Sequence, residues 1–74
     1  MNHLVTVREW EVMECVRTGM TNREIADALF ISVRTVQTHI SHVMAKLSAA
    51  NRFKAVIAMD EMGPPPARRR RYRK

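Results

Sequence analysis

The chain has 74 residues, enough for a single small domain that buries only about 60% of its unfolded surface and gains from a partner chain or ligand. Its one cysteine, Cys15, rules out an intramolecular disulfide framework and a multi-cysteine zinc site, and no apolar run of about 18 residues exists to span a membrane. The formal charge of +6 suggests an anionic partner, but all the acids and about half of the bases lie before Pro64 and cancel, so the excess belongs to Arg68 through Lys74.

Thr6 and Glu9 stand at the spacing of a capping box, in which the hydroxyl accepts an orphan backbone N–H and the carboxylate reaches back. Val5 and Trp10 flank the cap as a hydrophobic staple. A first helix over about Val7 to Arg17 carries a core stripe of Val12, Met13 and Val16, and Gly19 ends it. Cys15, on that helix, reads as a reduced and packed thiol. Thr21 and Glu24 form a second capping box, opening a helix of about Asn22 to Leu29 with Ile25, Ala26 and Leu29 on one face.

Only Phe30 and Ile31 separate Leu29 from the next cap, Ser32. So short a connection makes the two helices cross steeply, which is the helix-turn-helix geometry that presents its second helix to a DNA major groove. That helix, about Val33 to Ser48, is the most legible element. Val36, Ile40, Val43, Met44 and Leu47 recur on one face and are expected to be buried. Arg34, Thr38, Ser41 and Ala45 fall opposite, with Gln37 at the edge. A solvated face normally fills with Lys and Glu, whereas this one holds small or hydrogen-bonding side chains suited to close approach to base edges. No acid occurs from Ala28 through Met59, so a neutral domain can still present a positive side.

Asn51 caps a fourth helix of about Arg52 to Met62, stopped by Gly63 and three prolines. Its apolar residues spread over two sides: Ala55, Met59 and Met62 face one way, and Phe53 and Ile57 lie roughly 150° away with Val56 between. One side serves the core, and Phe53, Val56 and Ile57 are expected to form a dimer seam. Residues 1–63 thus read as one domain. Residues 64–74 read as a proline-rich break and a disordered basic tail, ARRRRYRK, which buries nothing and tracks phosphates without regard to sequence.

These blocks resemble the LuxR-type, or GerE-like, helix-turn-helix of bacterial transcription regulators. The resemblance covers about Val5 to Met59. It rests on V-T-V-R-E-W-E-V at 5–12, G-M-T-N-R-E-I-A at 19–26, L-F-I-S-V-R-T-V-Q-T-H-I at 29–40, the Lys46-Leu47 pair and N-R-F-K-A-V at 51–56. It implies an all-α, four-helix domain whose third helix enters the major groove of double-stranded DNA while the fourth pairs two copies. It also implies that Gln37, Thr38 and Ser41 face bases, and that Asn22, Thr35, His39, Lys46 and Arg52 lie near phosphates. Arg34, on the exposed face of the third helix, joins the phosphate set. The family most often has Lys where this chain has Gln37, and Gly where it has Ser48. Gln37 can instead pair with adenine in a bidentate manner, worth about 1–3 kcal/mol of discrimination.

The resemblance further implies a homodimer in the bacterial cytoplasm, associated with the nucleoid, with RNA polymerase as a further candidate partner. Many relatives carry a receiver or ligand-binding domain before this one, and here only Met1 through Leu4 precede Val5. Two other readings stand beside this one. Region 4 of a sigma factor opens and ends similarly but has a longer stretch than Arg17 to Met20 between those parts. A protein-interaction adaptor that keeps the fold without reading DNA suits the neutral folded part. His39 and His42 are three residues apart and offer at most two metal ligands, and no catalytic constellation assembles, so neither an enzyme, a cofactor nor a metal site is expected.

Overall fold

A computed structural model of the chain describes residues 5–65, so the start of the chain and the basic tail lie outside the described residues. Among those described there are four α-helices and no strand: α1 (Val7–Arg17), α2 (Asn22–Leu29), α3 (Val33–Lys46) and α4 (Arg52–Met62). Each begins where its cap was expected. Thr6 Oγ1 accepts the Glu9 N–H at 3.1 Å while Glu9 Oε1 accepts the Thr6 N–H at 3.0 Å. The second box repeats this with Thr21 and Glu24, at 3.1 and 2.8 Å. Ser32 Oγ takes the Thr35 N–H at 3.0 Å, and Asn51 Oδ1 the Lys54 N–H at 2.9 Å. Such caps satisfy donors that the first turn of a helix leaves orphaned, which is why Ser, Thr and Asn mark the starts so reliably.

The ends of α1, α2 and α3 share one device. Gly19, at φ +87°, lets the Met20 N–H reach the Cys15 carbonyl and its own N–H reach Val16. Phe30, at φ +59°, turns the chain so that the Ile31 N–H reaches Ala26 at 3.0 Å. Ser48, at φ +53°, sends the Ala49 N–H to the Met44 carbonyl at 2.9 Å and its own N–H to Ala45 at 3.3 Å. The first and last are Schellman closures, and only the first has the glycine that makes the conformation free of strain. The expected third helix ran through Ser48; the observed one ends at Lys46, with Leu47 as cap, because the left-handed Ser48 breaks the helical run.

Helix α1 packs against each of the other three, α2 against α3, and α3 against α4. The core under this arrangement comprises Val5, Trp10, Val12, Met13 and Val16 from the first segment, Ile25 and Ala26 from α2, Val36, Ile40 and Val43 from α3, and Ala55, Val56 and Met59 from α4. Met44 and Leu47 are half-buried against it. The anticipated stripes of α1 and α3 are therefore the buried ones, and the staple residues Val5 and Trp10 both join the core. This core holds the helix-turn-helix unit from behind and leaves the opposite side of α3 to solvent.

Candidate nucleic-acid interface

Because Val36, Ile40 and Val43 are buried, the roughly 100° step per residue carries Gln37, Thr38 and Ser41 outward, and all three are exposed. Arg34 is exposed with them near the start of the helix. The expected base-facing residues thus share an open face that bears amide, hydroxyl and guanidinium groups and no carboxylate. Thr35, in the first turn, is half-buried, and its hydroxyl lies 2.9 Å from that of its cap Ser32.

The residues expected near phosphates fall into two constellations. Asn22 and Arg52 open α2 and α4, and the Arg52 guanidinium donates to Asn22 Oδ1 at 2.8 Å. This hydrogen bond places a fixed cation between two helix N-termini, whose orphan N–H groups and positive dipole ends favour anions. The second constellation lies on a flank of α3. The Lys46 ammonium donates to Glu9 Oε1 at 2.7 Å, and His42 Nδ1 sits 3.8 Å from Glu9 Oε2. His39 is half-buried, with Nδ1 buried and without a protein hydrogen-bond partner, so only Nε2 is left to reach a phosphate.

Glu9 is the one charged residue buried in the described core, 4% exposed. Burial pushes its carboxyl up, but the Lys46 and Thr6 hydrogen bonds and the charges of Lys46 and His39 outweigh that, so the group lies below its ordinary value and stays ionised. Sequence reasoning gave Glu9 only a capping role. A signal was present: Glu9, Val12, Met13 and Val16 fall at i, i+3, i+4 and i+7, which puts a carboxylate on the buried stripe and demands a cation. On the other side of α1, burial first, then the charges of Glu14 and Glu11, raise the Cys15 thiol, which disfavours a reactive thiolate.

On α4, Phe53 is 68% exposed and Ile57 is 59% exposed, an apolar pair one helical turn apart. Val56 departs from the expected seam: it is 9% exposed and belongs to the monomer core with Ala55 and Met59. Its position between the two apolar sides of the helix allowed either outcome, and packing against the core took it.

The model of the family described as "Bacterial regulatory proteins, luxR family" matches residues 3–59. The spore germination protein GerE of Bacillus subtilis is 47% identical over 60 residues, covering 81% of this chain and 81% of that protein. An HTH-type transcriptional regulator of Mycobacterium bovis is 44% identical over 61 residues, 82% of this chain but 7% of the regulator. The response regulator protein VraR of Staphylococcus aureus is 41% identical over 54 residues, 73% of this chain and 26% of VraR. The chain therefore spans a small fraction of some relatives and most of another. With four capped helices in this order, a three-residue connection between α2 and α3 and a family match over most of its length, the chain belongs to the luxR family of bacterial regulatory proteins, as a helix-turn-helix domain of DNA-binding transcription regulation.

Proposed function

We propose that the domain binds double-stranded DNA sequence-specifically, as a homodimer, in bacterial transcription regulation. The observation that carries this reading is the exposed face of α3, where Gln37, Thr38 and Ser41 project from a helix anchored behind by Val36, Ile40 and Val43. Gln37, Thr38 and Ser41 read base edges, with Gln37 suited to adenine. Asn22, Arg34, Thr35, His39, Lys46 and Arg52 contact phosphates and set the register without reading sequence. Phe53 and Ile57 of α4 pair two copies, which spaces the two reading helices over two half-sites. Residues 1–63 act as the DNA-binding domain, and the basic residues Arg68 to Lys74, which lie outside the described residues, add phosphate affinity. The place of action is the nucleoid, where RNA polymerase is a further partner.

In vitro selection of duplexes from a random pool tests the reading directly. A paired, roughly two-fold symmetric motif with an adenine preference is the expected result. The charge balance of residues 1–63, which is neutral, favours one rival: an adaptor that keeps the fold and binds protein. A pool in which no sequence is enriched at any salt concentration would refute DNA reading and leave that rival standing.

A further inference from the structure

We propose that Glu9 is a positioning residue for DNA binding, holding the Lys46 ammonium at the spot where a backbone phosphate meets it. The inference rests on the DNA-binding reading above and adds to it a residue buried in α1.

Thr35, His39, His42 and Lys46 fall at i, i+4, i+7 and i+11, so they line one flank of α3 between the core and the reading face. Glu9 stands behind the C-terminal half of that flank, within 2.7 Å of Lys46 and 3.8 Å of His42. The side chain of Glu9 is 5% exposed and that of Lys46 31% exposed, so the pair turns its positive end to solvent. Glu9 Oε1 also accepts the Thr6 N–H at 3.0 Å, which ties the carboxylate to the cap of α1 and keeps it from following the lysine outward. An ammonium has three N–H donors, so the bond to Glu9 leaves two for an incoming oxyanion. A free lysine side chain samples many rotamers, and one held in place beforehand loses less of that freedom on meeting a phosphate. A carboxylate near DNA also repels phosphate. Here it is buried behind its own counterion, so ordering of Lys46 outweighs that repulsion.

Binding of the full chain to the selected duplex is measured by fluorescence anisotropy for wild type, Glu9→Gln, Lys46→Met and the double variant, with urea denaturation establishing the folded fraction. Glu9→Gln is expected to weaken binding about five- to tenfold, because Lys46 is no longer ordered in advance. Lys46→Met is expected to do the same and to reduce the log–log salt slope by about 0.9. In the Lys46→Met background, Glu9→Gln should cost less than about twofold, because the two residues act as a unit. Should Glu9→Gln fail to fold, Glu9→Asp replaces it: the charge is kept but drawn back from Lys46, and a similar weakening is expected. Equal or tighter binding by the Glu9 variant, or the same weakening in both backgrounds, overturns the proposal. A wild-type chain that binds no duplex instead overturns the DNA-binding reading itself.

Discussion

Ser48 occupies a backbone conformation that costs an L-residue about 1–2 kcal/mol, and a glycine there is free of that cost. Its side chain is exposed, so removing it sacrifices no core packing. Glycine is also freer in the unfolded chain, which returns about 0.5–1 kcal/mol, and Ser48→Gly is therefore expected to stabilise the domain by about 0.5–1 kcal/mol net. For a domain of this size that is a rise of about 2–8 °C in Tm, read by calorimetry at fixed protein concentration, with urea denaturation as a second measure. Gly19 supplies the opposite control. It holds the same closure at the end of α1 at φ +87°, and a Cβ built there meets nothing within 4 Å, so Gly19→Ala changes backbone preference alone. A destabilisation of about 1 kcal/mol is expected from it. If Ser48→Gly left Tm unchanged or lowered it while Gly19→Ala behaved as stated, strain at Ser48 would not be the governing term.

Gln37→Ala is expected to relax the preference at one base pair while nonspecific binding holds; a uniform decrease across all sequences would remove Gln37 from the base-reading set. Ile57→Asp replaces an exposed side chain, so the fold persists, but burying the exposed part of that side chain in a dimer is worth about 1–2 kcal/mol per copy, and monomers are expected in sedimentation. An unchanged dimer would place the seam elsewhere. Removal of Arg68 to Lys74 should flatten the salt dependence of DNA binding by about 0.9 in slope for each phosphate that the tail no longer neutralises, and an identical slope would make the tail a bystander. For acid, the sign follows from Glu9: its folded carboxyl lies below the ordinary value of 4.5, so the stabilisation it provides is complete above that value and disappears as pH falls through the folded one. Urea midpoints measured downward from neutral pH should drop less in Glu9→Gln than in wild type over that acid window.

What could be read from the residues alone was governed by range. The caps at Thr6, Thr21, Ser32 and Asn51 are local hydrogen-bonding events, and all four helix starts lie where those residues put them. The end of α3 is harder to place because Leu47 continues the apolar stripe and Ser48 is not a stop signal by type. The family's preference for glycine at that position was the available hint. Val56 was ambiguous because a helical projection gives direction but not which of two apolar sides the core claims. Asn22 and Arg52 were expected near phosphates separately, and their mutual hydrogen bond spans 30 residues, a separation that no spacing rule reaches. Glu9 was concealed differently: its capping role gave a sufficient reason for a carboxylate there, although the same residue also lies on the buried stripe. The Lys46 bond became evident only when α1 and α3 were side by side.

The bond between Glu9 and Lys46 joins residues 37 apart, and it has a consequence for how the domain can change over generations. Thr21 through Leu47 is not a transferable cassette: moved to another scaffold, it would keep its reading side chains and lose the carboxylate that faces Lys46. The same arrangement leaves Gln37, Thr38 and Ser41 outside the core that anchors the helix. On the proposed reading those three positions are free to vary with the operator, while variation at Glu9 or Lys46 calls for a matching change in the other.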